Sequence, residues 1–124
     1  MDPITYSLDV VDTPQCPLME YIKNGIKTVE GRRYVPKYQQ IKAGDYLILK
    51  TKDNDFVRVL VTFVHMYTSL SSYLKSETIE KTVPCAIDFQ DAKRIYNQWS
   101  SKEERHQLRK LYGYAFLGIG IKVV

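Results

Sequence analysis

An eight-residue stretch, residues 25–32, constrains the fold of this chain more than any other segment. It brings Lys27, Glu30 and Arg32 into a segment whose glycines and β-branched residues are typical of a loop that enters a strand. Because successive side chains of a strand point to opposite faces, Glu30 and Arg32 would share one face and Lys27 would lie on the other. Either one face of the strand borders a water-filled cleft, or Lys27 still belongs to the loop and bends back toward Glu30.

The segments on either side of this stretch predict three further strands and a short helix. Residues 4–11 alternate apolar and polar side chains, the pattern of a half-buried strand. Pro17 is suited to the first turn of a helix, and Gly25 is suited to its end because it tolerates the left-handed conformation. The alternating residues 46–51 and 56–67 flank a polar turn, which predicts a β-hairpin.

The second half of the chain predicts three helices and a last strand. Ser69, Asp88 and Ser101 each precede a helical pattern and are suited to cap it. We expect the third of these helices to end at Gly113 and to bury a stripe formed by Leu108, Leu111 and Tyr112. Residues 115–124 form a long apolar strand whose glycines suggest a bend or bulge.

This order of elements predicts an α+β fold in which a short antiparallel sheet curls and is closed by its last strand. With 124 residues, the chain is long enough for one domain, residues 1–124, with a substantial core. No apolar run is long enough to span a bilayer, and the first residues do not resemble a signal peptide. We therefore expect an intracellular protein, either cytoplasmic or nuclear.

The cysteines and histidines give no sign of a metal site. Cys16 and Cys85 lie far apart and form no Cys-x-x-Cys pair, so we expect two reduced, packed thiols rather than a disulfide or a zinc site. His65, at the end of the hairpin, has no second histidine, cysteine or carboxylate beside it at metal-ligand spacing. It would be a structural or surface residue, or a group available for proton transfer. We expect no metal and no cofactor.

The charge balance indicates what such a domain would bind. A formal charge of +4 and ten tyrosines suit single-stranded nucleic acid, although a small lysine excess is also common on protein surfaces. Two segments carry the basic residues that would serve this role. One is the polar loop 33–40, in which basic and aromatic residues are interleaved, and which would either follow a phosphate backbone or simply be solvated. The other is one face of the third late helix, with Lys102, Arg105, His106 and Arg109, which would contact phosphates or simply be solvated.

The pattern Gly-x-Lys-x-x-Glu-x-Arg, which begins at Gly25 and ends at Arg32, resembles the signature of the ASCH domain, a member of the PUA-like superfamily. A short helix precedes it, and the residues Ile-Lys-Ala-Gly-Asp at 41–45 and a hydrophobic strand follow it. The resemblance covers nearly the whole chain. It implies a small PUA-like antiparallel β-barrel with helices packed around it and a cleft between barrel and helices. It also implies RNA binding, in RNA processing or in the regulation of transcription or translation.

Some proteins of this family are hydrolases, either ribonucleases or amidohydrolases that act on acetylated cytidine. The amidohydrolases resemble this chain at Lys27 but have threonine where it has Glu30, and their catalytic glutamate has only Glu77 and Glu80 as nearest candidates here. A ribonuclease would need a general base, a cationic group and a proton donor. Glu30 and Lys27 would supply the first two, and Tyr21 or His65 the third. Tyr21 would either line the cleft or pack on the first strand.

We therefore expect a cleft that binds single-stranded RNA, a nucleotide or a modified nucleoside. The expected binding residues are Lys27, Thr28, Glu30, Arg32, Arg33, Tyr34 and Lys37. One alternative is a metal-independent hydrolase whose catalytic residues are Lys27, Glu30 and Tyr21. Another is a protein-interaction module in which the charged motif is structural. The sequence leaves the oligomeric state open.

Overall fold

Five strands form one mixed sheet that curls into a half-barrel, and short helices pack around it. A computed structural model describes residues 2–124. The longest of its helices has 11 residues, and none in the described part of the chain has the length and apolar character needed to cross a membrane. The elements are β1 (Thr5–Asp9), α1 (Leu18–Lys23), β2 (Val29–Arg33), α2 (Pro36–Gln39), β3 (Tyr46–Lys50), β4 (Phe56–Tyr67), α3 (Leu70–Glu77), α4 (Ile79–Thr82), α5 (Phe89–Asn97), α6 (Lys102–Tyr112) and β5 (Phe116–Val123).

The predicted α+β class, with helices around a curved sheet, is confirmed. Two details of the sheet differ from expectation. β1 pairs with β3 in parallel, which is possible because α1, β2 and α2 form a long crossover between them. β5 does not close the sheet but lies between β4 and β2, in the strand order β1-β3-β4-β5-β2. β1 and β2 are therefore the two edges of the half-barrel.

The helix boundaries agree with the capping residues read from the sequence. Ser69, Asp88 and Ser101 each accept a hydrogen bond from the backbone N–H three residues later, at 3.0, 2.8 and 3.0 Å. Gly113 ends α6 in the left-handed conformation, with φ of 87°. Such caps are local interactions, so the sequence alone predicts them well. The first late helix is interrupted at Thr78, whose φ is 74°, and so divides into α3 and α4.

Two predictions are wrong: that α6 buries an apolar stripe, and that residues 33–40 form a polar loop. Leu111 is 71% exposed and Tyr112 is also exposed, whereas Arg105 is the buried residue of this helix. Residues 36–39 form the helical turn α2, and Tyr38 within it is buried in the core. In both places the sequence pattern did not reveal which side chains meet other elements in the folded chain.

The cysteines form a disulfide, so the prediction of two reduced thiols is wrong. Cys16 and Cys85 are separated by 69 positions, yet their Cα atoms lie 5.2 Å apart. Separation along the chain carries no information about this distance, which explains the error. The bond joins the turn before α1 to the segment after α4, and such a link stabilises a fold mainly by restricting the unfolded chain.

Two glycines allow a tyrosine to lie close against the sheet where β2 pairs with β5. Gly31 of β2 is opposite Gly118 of β5. A Cβ atom on Gly31 would lie 2.5 Å from the hydroxyl oxygen of Tyr73 and 2.8 Å from the ring of Phe116. Tyr73 is fully buried and its hydroxyl lies 2.8 Å from that of Tyr96. The second glycine of the 25–32 stretch is therefore required by packing, and this packing connects the stretch to α3 and α5.

Candidate functional site

β2 carries the charged motif and leaves one edge of its backbone free of strand pairing. Thr28 accepts a hydrogen bond from Ile121 of β5, and Tyr34 donates one to Ala115. Backbone groups of an antiparallel strand alternate in direction, so those of Gly31, at an odd position between them, point away from β5. The N–H and C=O of Gly31 are thus presented at the open edge of the half-barrel.

Lys27 lies in the loop before β2 and bends back toward Glu30, as the second of the two alternatives for this segment predicts. Its ammonium donates to the carbonyl oxygens of Val29 and Thr82, both at 2.5 Å, and lies 3.4 Å from Oε1 of Glu30. An ammonium has three N–H donors, and these three acceptors occupy them all. Burial lowers the pKa of Lys27, although the carboxylate of Glu30 opposes that shift. The side chain is only 1% exposed, so it fixes Glu30 and has no donor left for a ligand.

Glu30 is held between two cations. Oε1 faces Lys27, and Oε2 accepts a hydrogen bond from Nη2 of Arg32 at 3.1 Å. Burial by itself would raise the pKa of Glu30, but the charges of Lys27 and Arg32 outweigh it and leave the pKa below its ordinary value. The carboxylate is therefore ionised at neutral pH, which makes it a good hydrogen-bond acceptor and a weak general base.

Arg32 connects the two edges of the half-barrel. Its Nη2 also donates to the backbone oxygen of Asp9 at the end of β1, at 2.6 Å. Its Nη1 lies 3.4 Å from the hydroxyl of Tyr38, and the guanidinium is 5.5 Å from the centre of that ring. Burial alone would lower the pKa of Arg32, but the carboxylate of Glu30 more than compensates and raises it. The guanidinium is thus a fixed cation at the base of the gap between β1 and β2.

A cleft of about 240 Å³ occupies this gap. Its polar lining includes Arg32 and Glu30 and the residue Gly31, and its apolar lining includes four aromatic and three aliphatic residues. Trp99, just after α5, is 37% exposed, so part of its indole is open to solvent. The arrangement offers a planar ligand both stacking surfaces and fixed polar partners. The aromatic residues that line the cleft are Tyr38, Tyr96, Trp99 and Phe116.

Only part of the predicted site lines this cleft. Glu30, Arg32 and Arg33 border it, whereas Lys27 and Thr28 border a separate depression beside the end of β5. Tyr21, predicted as a catalytic residue, packs against the core, and its backbone oxygen accepts the N–H of Lys27 at 3.0 Å. Within residues 2–124, Tyr21 is not part of the cleft lining. Lys27 therefore acts on the cleft through its contact with Glu30, and Tyr21 contributes a backbone hydrogen bond to Lys27.

The predicted loop residues also separate. Arg33 borders the cleft but forms an ion pair with Glu104 of α6 at 2.8 Å. Tyr34 packs edge-on against two other tyrosines at the end of α6, Tyr112 and Tyr114, at centroid distances of 6.1 and 5.6 Å. Lys37 lies over the ring of Tyr38 at 5.6 Å. Neither Tyr34 nor Lys37 is part of the cleft lining in the described chain.

Several cleft residues could not be identified from the sequence. Trp99 and Tyr96 belong to a helical pattern that resembles an ordinary buried stripe, and Tyr38 lies in a segment that resembles a polar loop. Asp9 contributes through its backbone, which leaves no sequence signal. The one available indication is that Trp99 is the single tryptophan of the chain and lies past the end of its helix.

His65 belongs to a different cluster. Its Nδ1 is 2.9 Å from Oε2 of Glu77, and the hydroxyl of Tyr67 donates to the same oxygen. Burial and the bond to Glu77 raise the pKa of Tyr67 to about 12. None of these residues lines the cleft in residues 2–124, so His65 is not placed to donate a proton there. The same part of the chain contains no group of three His, Cys, Asp or Glu side chains placed to hold a metal.

Comparisons with known proteins agree with the fold. A family model described as "ASCH domain" matches residues 15–119. The crystal structure of the hypothetical protein PH0355 is 26% identical, with a TM-score of 0.81 over 98% of this chain and 100% of that one. The solution structure of PF0455 from Pyrococcus furiosus is 24% identical, with a TM-score of 0.66 over 98% and 97%. An ASCH domain from Lactobacillus crispatus JV V101 is 14% identical, with a TM-score of 0.61 over 97% and 79%. A search of curated proteins found no significant match.

Proposed function

Because the chain belongs to the ASCH domain family, we propose that it binds RNA or a nucleotide and that its cleft holds one nucleobase. The proposal includes membership of the PUA-like superfamily and an intracellular role in RNA processing or in the regulation of transcription or translation. The main support for the proposal is that one cleft is lined by an exposed aromatic side chain, an ion pair and an unpaired strand edge. These are Trp99, the pair Glu30–Arg32 and the backbone of Gly31.

The size and lining of the cleft favour a single planar ring system. A volume of about 240 Å³ is below the range of about 300–1,000 Å³ that is usual for larger ligands. The partly exposed indole of Trp99 offers a surface on which a base can stack. Stacking of a base on an aromatic side chain is worth about 1–3 kcal/mol and tolerates different bases.

The polar groups would read the edge of that base. The ionised Glu30 accepts hydrogen bonds, and protein carboxylates commonly accept from the exocyclic amine of cytosine. The backbone of Gly31 offers one donor and one acceptor side by side. We therefore propose a preference for bases with an exocyclic amine over uracil, which has none.

Binding suits this geometry better than hydrolysis. A ribonuclease or an amidohydrolase acting on modified cytidine would need Lys27 or Glu30 in the reaction. The donors of Lys27 are all occupied, and the lowered pKa of Glu30 makes it a poor base. A role as a protein-interaction module would not require the open cleft at all.

Trp99 allows a direct test, since it is the single tryptophan. Its fluorescence would be followed while nucleoside monophosphates are added in the presence of EDTA, and we expect quenching, strongest for the amine-bearing bases. Binding of labelled single-stranded RNA would then be compared for the wild type and Trp99→Ala. Loss of stacking predicts an affinity lower by about fivefold to a hundredfold.

Phe56→Ala is the matched control, because Phe56 is an aromatic residue that is 62% exposed and does not line the cleft in the described chain. We expect its RNA affinity to equal that of the wild type. The same samples would be checked for RNA cleavage. Absence of Trp99 quenching by any nucleotide or RNA would contradict the proposal, and RNA cleavage that Glu30→Gln abolishes would replace it with the hydrolase.

A further inference from the structure

A second concave surface, which we name the basic groove, adjoins the cleft. It encloses about 620 Å³ between the N-terminal end of α3 and the facing sides of α5 and α6. No carboxylate is among its lining residues in the part of the chain that the structure describes. Its basic side chains are Lys93, Arg94, Lys102, Arg105, His106 and Arg109.

In the part of the chain that the structure describes, most of these cations form no salt bridge. Within residues 2–124, ion pairing in the groove is limited to Arg94, whose Nη2 lies 2.8 Å from Oδ1 of Asp91. Lys93, Lys102 and Arg109 form no salt bridge there. A concave surface lined by one sign of charge concentrates the electrostatic potential and attracts ligands of the opposite sign.

Arg105 is the most deeply placed of the basic residues. It is 7% exposed, and its Nη1 donates to the backbone oxygen and to Oγ of Ser100 at 2.6 and 2.8 Å. Its Nη2 donates to Oδ1 of Asn97 at 2.6 Å. All three acceptors are neutral, and Arg105 forms no salt bridge in the described chain, although the carboxylate of the neighbouring Glu104 acts on its charge from a greater distance. These hydrogen bonds hold the guanidinium in place, where an incoming anion would add a charge-assisted partner.

The groove and the cleft share the turn between α5 and α6. Ser100 lines the cleft and also accepts both hydrogen bonds from Nη1 of Arg105, which lines the groove. Trp99 borders the cleft, and Asn97, two residues earlier, borders the groove. A nucleotide whose base stacks on Trp99 would therefore have the groove as its neighbouring cationic surface.

We propose that the basic groove binds the phosphodiester backbone of single-stranded RNA next to the nucleotide whose base occupies the cleft. This inference rests on the proposed function. Phosphate oxygens are the partners that arginine forks and lysine ammonium groups recognise, and a flexible single strand can follow a surface that turns around a helix end. Ser71 is also among the lining residues, and its side chain carries a hydroxyl that suits the same ligand.

The test compares two double variants with equal loss of charge. Lys93→Ala/Lys102→Ala removes two lysines of the groove. Lys52→Ala/Lys110→Ala removes two lysines outside it, one of them on α6. Binding of a labelled RNA octanucleotide would be measured in EDTA as a function of salt. Two lost phosphate contacts predict a salt slope smaller by about 1.4 and an affinity lower by about twentyfold at about 0.1 M salt for the groove variant. The control variant should match the wild type to within about twofold.

Quenching of Trp99 by a nucleoside monophosphate separates this inference from the proposed function. We expect the groove variant to retain that quenching while its octanucleotide affinity falls. Equal octanucleotide affinity for the two double variants would overturn the groove inference and leave base binding in place. Absence of Trp99 quenching by any nucleotide or RNA would overturn the proposed function itself. Polyglutamate that binds more tightly than the octanucleotide at equal charge concentration, and loses affinity in the groove variant, would show that the groove prefers acidic polypeptides to RNA.

Discussion

The charged residues 27–32 and the basic groove both include several cations, but the two groups differ in burial and in ion pairing. Lys27 is buried and has each of its donors occupied, and its ion pair with Glu30 is continued by the pair of Glu30 with Arg32. Lys102 and Arg109 of the groove are exposed and unpaired in the described chain. The charged residues of the 25–32 stretch therefore hold one another in place, whereas Lys102 and Arg109 of the groove remain available to attract a ligand.

The two regions should also differ in what their charges do for stability. Removing one member of a buried ion pair leaves an uncompensated charge in a poorly solvated place. Removing an exposed, unpaired charge changes little, because water already solvates it. Stability measurements can therefore test the contrast independently of any ligand.

The largest effect is expected for Lys27→Met. This change removes the ammonium from two carbonyl oxygens and from Glu30, and we expect the free energy of unfolding to fall by about 3–5 kcal/mol. Lys23→Met is the control, because Lys23 pairs with Asp55 on the surface with 40% of its side chain exposed. Such pairs contribute about 0–1 kcal/mol. Urea unfolding measures the free energy of unfolding of both variants. A similar small decrease for the two would show that Lys27 does not stabilise a buried network.

A smaller, pH-dependent effect is expected for Glu30→Gln. The folded state lowers the pKa of Glu30 below the ordinary 4.5, so the unfolded chain binds more protons between the two values. The stabilisation is therefore fully present above pH 4.5 and is lost as the pH falls through the folded pKa. We expect Glu30→Gln to lower the free energy of unfolding by about 1–3 kcal/mol at neutral pH.

This difference between wild type and Glu30→Gln should shrink as the pH is lowered below 4.5. Urea unfolding at a series of pH values measures it. A difference that is constant from neutral to acidic pH would mean that the ionised carboxylate is not what stabilises the network. Glu103→Gln supplies the control, because Glu103 is exposed on α6 and forms no ion pair in residues 2–124.

The smallest effect on stability is expected in the groove. Lys93→Ala/Lys102→Ala should lower the free energy of unfolding by no more than about 1.5 kcal/mol, because Lys102 is exposed and half-buried Lys93 lies over the ring of Phe89 at 5.7 Å. The same variant should show the large loss of RNA affinity described above. A loss of stability comparable to that of Lys27→Met would mean that the groove lysines are structural, and the contrast between the two regions would fail.

The sequence predicted what depends on neighbouring residues and failed where distant residues meet. The caps at Ser69, Asp88 and Ser101 are short-range and were correct. The disulfide between Cys16 and Cys85 joins distant segments, and nothing in their spacing indicated it.

The site shows the same division. The contact of Lys27 with Glu30 depends on residues three positions apart, so the sequence predicted it as one of two possible arrangements. The hydrogen bond from Lys27 to the backbone oxygen of Thr82 depends on where α4 packs. The motif alone therefore could not show that all donors of the Lys27 ammonium are occupied. Helical spacing correctly placed Lys102, Arg105, His106 and Arg109 on one face of α6. It could not show that this face forms a groove beside Trp99, because that depends on how α5 and α6 pack together.

Amide NMR tests most directly whether a base enters the cleft while the phosphodiester backbone of the RNA follows the groove. ¹⁵N-labelled protein would be titrated with a nucleoside monophosphate and then with an RNA octanucleotide. We predict that both ligands shift the Gly31 amide and the Trp99 indole signals, and that only the octanucleotide shifts the amides of Lys102 and Arg105. Signals of Gly31 and Trp99 that stay unchanged, with shifts confined to other parts of the surface, would contradict the account.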